Sequence, residues 1–270
     1  MVPDNAPAKN KETPAPITVA EGGRGSSEAY GADVPASPPE IQVSFYAHIR
    51  RTLSIERLEA YGDATVAPSV VLARYLLNLA LCESLYSPLQ LCEVALRNSL
   101  HTHLSAKLAR DDWYDSPAFA LTPWAVTEVA KAKEKITKSH RPITSGRVVA
   151  ELQFGFWTSL FEACYEQRGG YLPAGIKAVF PQLPKSLHTR KGIKRDLEAI
   201  RAPRNRVFHH ERIVHFTDID AQHSRILSVI GWIRPELHEM ALALDRFTTV
   251  RREGLNPWLA KLAHHWPHTA

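Results

Sequence analysis

Residues 68–109 read PSVVLARYLLNLALCESLYSPLQLCEVALRNSLHTHLSAKLA, and apolar residues recur there every three or four positions. This spacing is typical of an α-helix, because side chains three and four residues apart share one face. Pro68 suits the first turn of a helix, whereas Pro88 has no amide donor and predicts a break. The stretch therefore predicts two consecutive helices that meet at Ser87-Pro88.

The rest of the chain from Ile41 onward repeats this helical pattern. No run of alternating strand character and no Asn-Gly or Asp-Gly hairpin signal is found. Pro203 is expected to kink or restart a helix, Pro235 to disturb the helix predicted over 218–247, and Gly169-Gly170 to end one. Further helices are predicted over about 44–60, 123–139, 145–166, 186–202, 218–247 and 257–264. We therefore predict an all-α helical bundle over residues 41–270.

The composition is that of an ordinary soluble globular chain, with 270 residues of which 44% are hydrophobic and 23% charged. Residues 1–40 contain seven of the 19 prolines and are predicted to be a disordered tail. The three cysteines form no C-x-x-C pair, which favours a reducing, cytoplasmic location over a disulfide framework. Neither a signal peptide nor a transmembrane helix is predicted, so no membrane partner is expected.

Charge is distributed unevenly along the chain. Residues 1–40 carry a net charge of −3, which leaves +8 for residues 41–270 of a chain whose total is +5. A basic body that also holds most of the 13 histidines is compatible with a polyanionic partner such as a nucleic acid. Charge alone does not establish that partner, since many basic proteins bind no nucleic acid.

A polar stripe crosses the second of the two predicted helices. Glu93, Arg97 and His101 are spaced four residues apart and share one face of an otherwise apolar helix. Buried charges need partners, because an isolated buried charge is costly. Two interpretations stay open: Glu93 and Arg97 satisfy each other or a neighbouring helix, or the stripe faces a site on an opposing helix.

The segment RNRVFHHE, residues 204–211, gives the strongest local signal. If Pro203 starts a new helical piece, Arg204 and Asn205 lie beside free backbone N–H groups that favour anions. Asn205 and His209 are four residues apart and share a face, and the long side chain of Arg204 reaches the same space. The pattern thus predicts a guanidinium, an amide and an imidazole around one patch.

These groups fit RNA cleavage without a metal. Arginine binds a phosphate with two parallel hydrogen bonds, and an imidazole exchanges protons near neutral pH. The RNA 2′-hydroxyl is an internal nucleophile, so proton transfer and stabilisation of the phosphorane charge suffice for scission. A metal site built from His209, His210 and Glu211 is disfavoured, because adjacent helical side chains point in different directions. A solvated basic helix face is the plain alternative.

The string from Arg204 to His209 fits the R-x4-H motif of the HEPN superfamily. With His210-Glu211 it resembles the R-N-x3-H-H-E form of the Abi-like (abortive infection) proteins. Three other segments, in order, are similar to that family: ALCESL (80–85), EVALRNSLH (93–101) and GRVVAELQFGFW (146–157). The resemblance covers roughly residues 44–245.

The resemblance implies an all-α, HEPN-like bundle with additional helices and a metal-independent endoribonuclease of abortive-infection or toxin type, in phage defence. It implies that Arg204 and His209 are catalytic, that Asn205 is their polar companion, and that two motifs meet in a homodimer. RNA is then the partner, no cofactor is needed, and any antitoxin is unknown. His210, Arg97 and Glu93 are expected to support the site or bind RNA.

Two other functions are weighed against the nuclease. Some HEPN domains bind RNA or form dimers without cutting, and an intact motif does not separate them from active members. An unrelated helical hydrolase has little support, since the chain has no G-x-S-x-G motif and residues 170–177 miss the phosphate-binding loop pattern.

Overall fold

The structure, a computed structural model of the chain, describes residues 35–167 and 174–264. All the regular secondary structure assigned within those ranges is helical, which confirms the all-α prediction. The helices are α1 (Val43–Leu53), α2 (Ile55–Glu59), α3 (Pro68–Leu108), α4 (Pro123–Lys138), α5 (Ser145–Glu151), α6 (Phe154–Ser159), α7 (Cys164–Gln167), α8 (Ala174–Val179), α9 (Arg190–Phe208), α10 (Ile219–Ile233), α11 (Pro235–Leu244), α12 (Phe247–Glu253) and α13 (Asn256–His264). Short 3₁₀ turns cover Trp113–Asp115 and Lys185–Leu187.

Some predictions fall on other parts of the chain. Most of the predicted disordered tail, residues 1–34, lies outside the described residues, as do Gly169 and Gly170. Residues 35–42 are described and precede the first helix without regular structure.

The helix α3 continues through Pro88 for 41 residues, so the predicted break at Ser87-Pro88 is wrong. A proline inside a helix costs about 3 kcal/mol, because the ring displaces one backbone hydrogen bond. Leu85 and Leu89 are 1% exposed on either side of it, and burying one leucine side chain stabilises by about 1.5–3 kcal/mol. Packing on both turns therefore offsets the local cost.

The other helices pack around α3. It contacts α2, α5, α6 and each helix from α8 to α13. At its C-terminal half it meets an aromatic cluster in which Trp113 lies 5.5 Å from Phe119 and 6.2 Å from Trp157, ring centre to ring centre. These rings are buried, and α3 is the element that joins this end of the core to the other.

Two other boundaries differ from the sequence prediction, and a third agrees with it. The helix predicted over 145–166 is divided into α5, α6 and α7, because the backbone is extended at Leu152 before α6 begins. Pro203 does not restart a helix, because α9 runs through it. The disturbance predicted at Pro235 within 218–247 is confirmed, since the helix is interrupted at Arg234, which is extended because it precedes Pro235.

One helix in the described ranges, α3, is long and apolar enough to cross a membrane by length and composition. In its most apolar window, 67% of the residues are buried inside the protein. The expectation of no membrane partner stays a prediction.

Candidate functional site

The helix α9 carries the RNRVFHHE segment at its C-terminal end. Thr189 caps the start of α9 by accepting a hydrogen bond from the Gly192 amide at 3.0 Å. Ile193, Leu197, Ile200 and Val207 form its buried face. Because the helix is continuous at Pro203, the free backbone N–H groups predicted beside Arg204 and Asn205 do not exist. The anion site that rested on them is a wrong prediction.

Glu93 of α3 meets Arg204 of α9. The Arg204 guanidinium donates from Nε at 3.2 Å and lies 3.1 Å from the carboxylate through Nη2. Only 17% of the Arg204 side chain and 16% of the Glu93 side chain are exposed. The structure therefore shows Glu93 paired with the motif on the neighbouring helix α9, an arrangement that agrees with both interpretations left open.

The same ion pair changes the role that the sequence gave to Arg204. The edge of the guanidinium with Nε and Nη2 faces Glu93, so it does not face a phosphate. The remaining nitrogen, Nη1, has Asn205 Oδ1 as a weak partner at 3.5 Å. Nη1 is thus the donor that an incoming phosphate oxygen can engage.

An aromatic ring lies beneath this guanidinium. Arg204 Cζ lies 4.5 Å from the centre of the Phe208 ring, within the range of a cation–π contact. Tyr86 of α3 lies on Phe208, with ring centres 5.3 Å apart and planes 35° apart. Glu93 and Phe208 together fix the orientation of Arg204.

His209 and His210 end the helix and are exposed. The amide of Glu211 donates to the Arg206 carbonyl at 2.8 Å, and that of His210 to the Val207 carbonyl at 3.2 Å. This pair of bonds is a Schellman motif, whose left-handed residue is usually glycine. Here His210 occupies it, with φ of 59°. The motif thus turns the chain sharply and leaves both imidazoles at the surface.

His209 and Arg204 do not touch in the described part of the chain. They are five residues apart on α9, which is about 140° around a helix. The His209 side chain is exposed, and among the described residues no hydrogen bond to its ring nitrogens is found. Each chain therefore exposes the imidazoles of His209 and His210 at the end of the helix whose Arg204 is held by Glu93.

The turn after α9 is anchored by side chains distant in the sequence. Asn78 of α3 is 2% exposed, and its Oδ1 accepts the amides of Ile213 at 2.7 Å and Val214 at 3.1 Å. Arg57 donates to the His210 carbonyl at 3.0 Å, and Arg212 donates to the Ala60 carbonyl. These contacts hold the exposed histidines against α2 and α3.

The remaining members of the polar stripe lie away from the motif. Arg97 forms no ion pair with Glu93, and its buried Nε has no partner among the described residues. His101 Nδ1 accepts the indole N–H of Trp113 at 3.0 Å, so His101 belongs to the aromatic cluster. The supporting role expected of Arg97 is not visible in these contacts.

An open groove of about 450 Å³ adjoins the motif. It is bounded by α3, the end of α9, and the segment from the end of α11 to α12. Its lining includes Cys82, Glu83, Tyr86, Phe208, His210, Leu244, Arg246 and Val250. We call this cavity the apolar groove.

The described residues contain no group of three or more His, Cys, Asp or Glu side chains that could hold a metal ion. No family model, curated protein or solved structure matches this chain. The functional assignment therefore depends on the geometry above and on the motif resemblance.

His215, in the turn after α9, gives a prediction for stability against pH. Burial, then the charges of Arg212 and Arg206, lower its pKa to about 4. An unfolded histidine has a pKa of about 6.5, so the unfolded state binds a proton first as the pH falls. The contribution of neutral His215 to the free energy of unfolding is therefore complete above about pH 6.5 and is lost as the pH falls towards about 4. Allowing for its partial exposure, we expect a loss on the order of 1 kcal/mol.

Urea unfolding at about pH 7 and about pH 5 measures this loss. His215→Leu should lose less stability between the two conditions than the unmodified protein. The same substitution at His48, which is exposed on α1, should leave the pH dependence unchanged. Equal pH dependence of the protein and the His215→Leu variant would contradict the assignment.

A second prediction concerns the Glu93–Arg204 pair. Glu93→Gln should lower the free energy of unfolding by about 1–2 kcal/mol, because it removes the counter-charge of a largely buried guanidinium. Glu128→Gln is the matched control, since Glu128 pairs with Lys131 at 2.8 Å and the lysine is 65% exposed. That change should cost at most about 0.5 kcal/mol. Equal costs for both variants would show that the Glu93 pair is an ordinary surface contact.

Sequence reasoning identified the motif but not its surroundings. Tyr86 was read as part of an apolar stretch, and Leu244 and Val250 carried no signal at all. They line the groove together with Phe208 because α11 and α12, more than 30 residues further along the chain, pack on α3. No local periodicity encodes that arrangement.

Proposed function

We propose that this protein is a metal-independent endoribonuclease of abortive-infection or toxin type, built on a HEPN-like bundle with additional helices. The observation that carries the proposal is the arrangement at the end of α9. There Arg204 is held by a carboxylate and an aromatic ring, and the exposed imidazole of His209 follows five residues later, at a sharp turn. This arrangement agrees with the R-x4-H resemblance in the identity of both groups.

In the proposed reaction the RNA 2′-hydroxyl attacks the adjacent phosphorus, and the 5′-oxygen of the next nucleotide leaves. His209 accepts the 2′-hydroxyl proton or donates one to the leaving oxygen. Nη1 of Arg204 stabilises the negative charge that develops on the phosphate oxygens. The products are a 2′,3′-cyclic phosphate and a 5′-hydroxyl.

One imidazole does not serve as base and acid in a single step, and each chain carries one copy of the R-x4-H motif, whose histidine is His209. We therefore propose a homodimer in which two copies of the motif face one RNA strand, in the cytoplasm. Sedimentation should give twice the 30.2 kDa mass of the chain. A monomer whose cleavage rate is proportional to its concentration would exclude the shared site.

The test of the reaction uses a single-stranded RNA oligonucleotide incubated with the full chain and a chelator. We expect cleavage with cyclic-phosphate ends, and no cleavage of the same oligonucleotide with 2′-O-methyl groups. Chelator-sensitive cutting, or cutting of the methylated strand, would overturn the mechanism, because neither fits attack by a 2′-hydroxyl.

A non-catalytic RNA-binding or dimerisation module is the second candidate. The observation that favours it is the Glu93 contact, which occupies one edge of the Arg204 guanidinium. Salt-dependent binding of RNA without cutting would support this function instead.

A further inference from the structure

The apolar groove presents an aromatic surface that the protein itself leaves uncovered. Tyr86 is 47% exposed and Leu244 is 54% exposed at its wall. Cys82 and Val250 complete an apolar lining, and burial raises the pKa of the Cys82 thiol to about 11, which keeps it neutral. At about 450 Å³ the groove falls within the size range of small-ligand sites.

The groove is continuous with the proposed cleavage site. Phe208 lines it and also lies under the Arg204 guanidinium. Tyr86 extends the stack outward from Phe208. A ligand that lies on Tyr86 is therefore separated from Arg204 by the rings of Tyr86 and Phe208, and His210 lines the same groove.

Polar groups stand among this apolar lining. Arg246 donates to Glu83 at 3.1 Å, and both side chains are about 70% exposed. The pair offers one acceptor and one donor to the edge of a flat ligand. An aliphatic side chain would use the apolar wall but leave this edge unmatched, whereas a nucleobase has apolar faces and a polar edge.

We propose that the apolar groove binds an unpaired nucleobase of the RNA strand, next to the scissile phosphate. The proposal rests on the proposed ribonuclease function and names the feature of the substrate that this site recognises. The base stacks on Tyr86, and its edge faces Glu83 and Arg246. Single-stranded RNA is thereby selected, because paired bases are not available for such stacking.

The experiment measures the affinity of the full chain for two oligonucleotides by fluorescence anisotropy. One is a 2′-O-methyl strand, which the proposed chemistry leaves intact, and the other is its abasic counterpart with the same phosphates. Tyr86→Ala should weaken binding of the base-bearing strand by roughly 5- to 150-fold, the range for loss of one base–aromatic stack. Its effect on the abasic strand should be less than about twofold.

Two control variants accompany this measurement. Tyr86→Phe keeps the ring and should bind like the unmodified protein. Trp124→Ala removes an equally exposed aromatic ring that lines a different cavity, and it should also bind normally. Circular dichroism checks that each variant is folded.

Three results would overturn the proposal: no binding of the base-bearing strand, an affinity unchanged in Tyr86→Ala, or equal weakening for both strands. A change of the sedimenting mass in Tyr86→Ala, without loss of base-dependent binding, would instead assign the groove to contact with a second copy. The proposed nuclease is judged separately by cutting of unmethylated RNA. Base-dependent binding without cutting would keep the groove assignment and reject the reaction, and cutting without base dependence would do the reverse.

Discussion

Replacing His209 by alanine is expected to slow RNA cleavage by roughly 10²- to 10⁴-fold, the range for removal of a proton-transfer group. The free energy of unfolding should stay within about 0.5 kcal/mol of the unmodified value, because the imidazole is exposed. A large loss of rate without a loss of stability shows that His209 acts in the reaction and not in the fold. Initial rates on single-stranded RNA with chelator, and urea unfolding of the same samples, provide the two measurements.

The matched control is His48→Ala, which removes another exposed imidazole, on α1. It should change neither the rate nor the stability. A rate for His209→Ala within tenfold of the unmodified protein would remove His209 from the reaction. So would an equal loss of rate in both variants.

The second large effect is expected on stability rather than activity. Asn78→Leu should lower the free energy of unfolding by about 2–5 kcal/mol, because it leaves two buried backbone N–H groups without an acceptor. Those amides belong to Ile213 and Val214, in the turn that follows the motif. Equilibrium urea unfolding measures the change.

Asn98→Leu provides a control on the same helix with the same substitution. Asn98 is exposed, so its replacement should change stability by no more than about 0.5 kcal/mol. If both variants lose the same stability, the cost is a property of leucine in α3 and the amide anchor contributes little.

Helix starts and local faces could be predicted from the sequence, because their signals lie within one or two turns. Pro123 begins α4 as expected, and Thr122 caps it by accepting the Ala125 amide at 3.3 Å. The shared face of Glu93 with the rest of its stripe was also predicted. What the sequence did not contain was the identity of the Glu93 partner, which is 111 positions away along the chain.

The two prolines inside helices show why the other boundaries were missed. Pro88 and Pro203 are both buried, and their helices continue because neighbouring turns are packed on several sides. Local helix propensity predicts a break at each proline, whereas the packing energy that keeps the helix intact comes from residues far along the chain. The correction at Pro203 matters most for function, since it removes the helix start that had been assigned to phosphate binding.

The uninterrupted length of α3 has a consequence for how the protein loses its structure. Asn78, Glu93 and His101 are anchored to three separate regions, yet all belong to one rod about 60 Å long. Unfolding of α3 would release the turn after α9, the Arg204 guanidinium and the Trp113 indole together. Denaturation followed at the α9 turn and at Trp113 should therefore give coincident transitions.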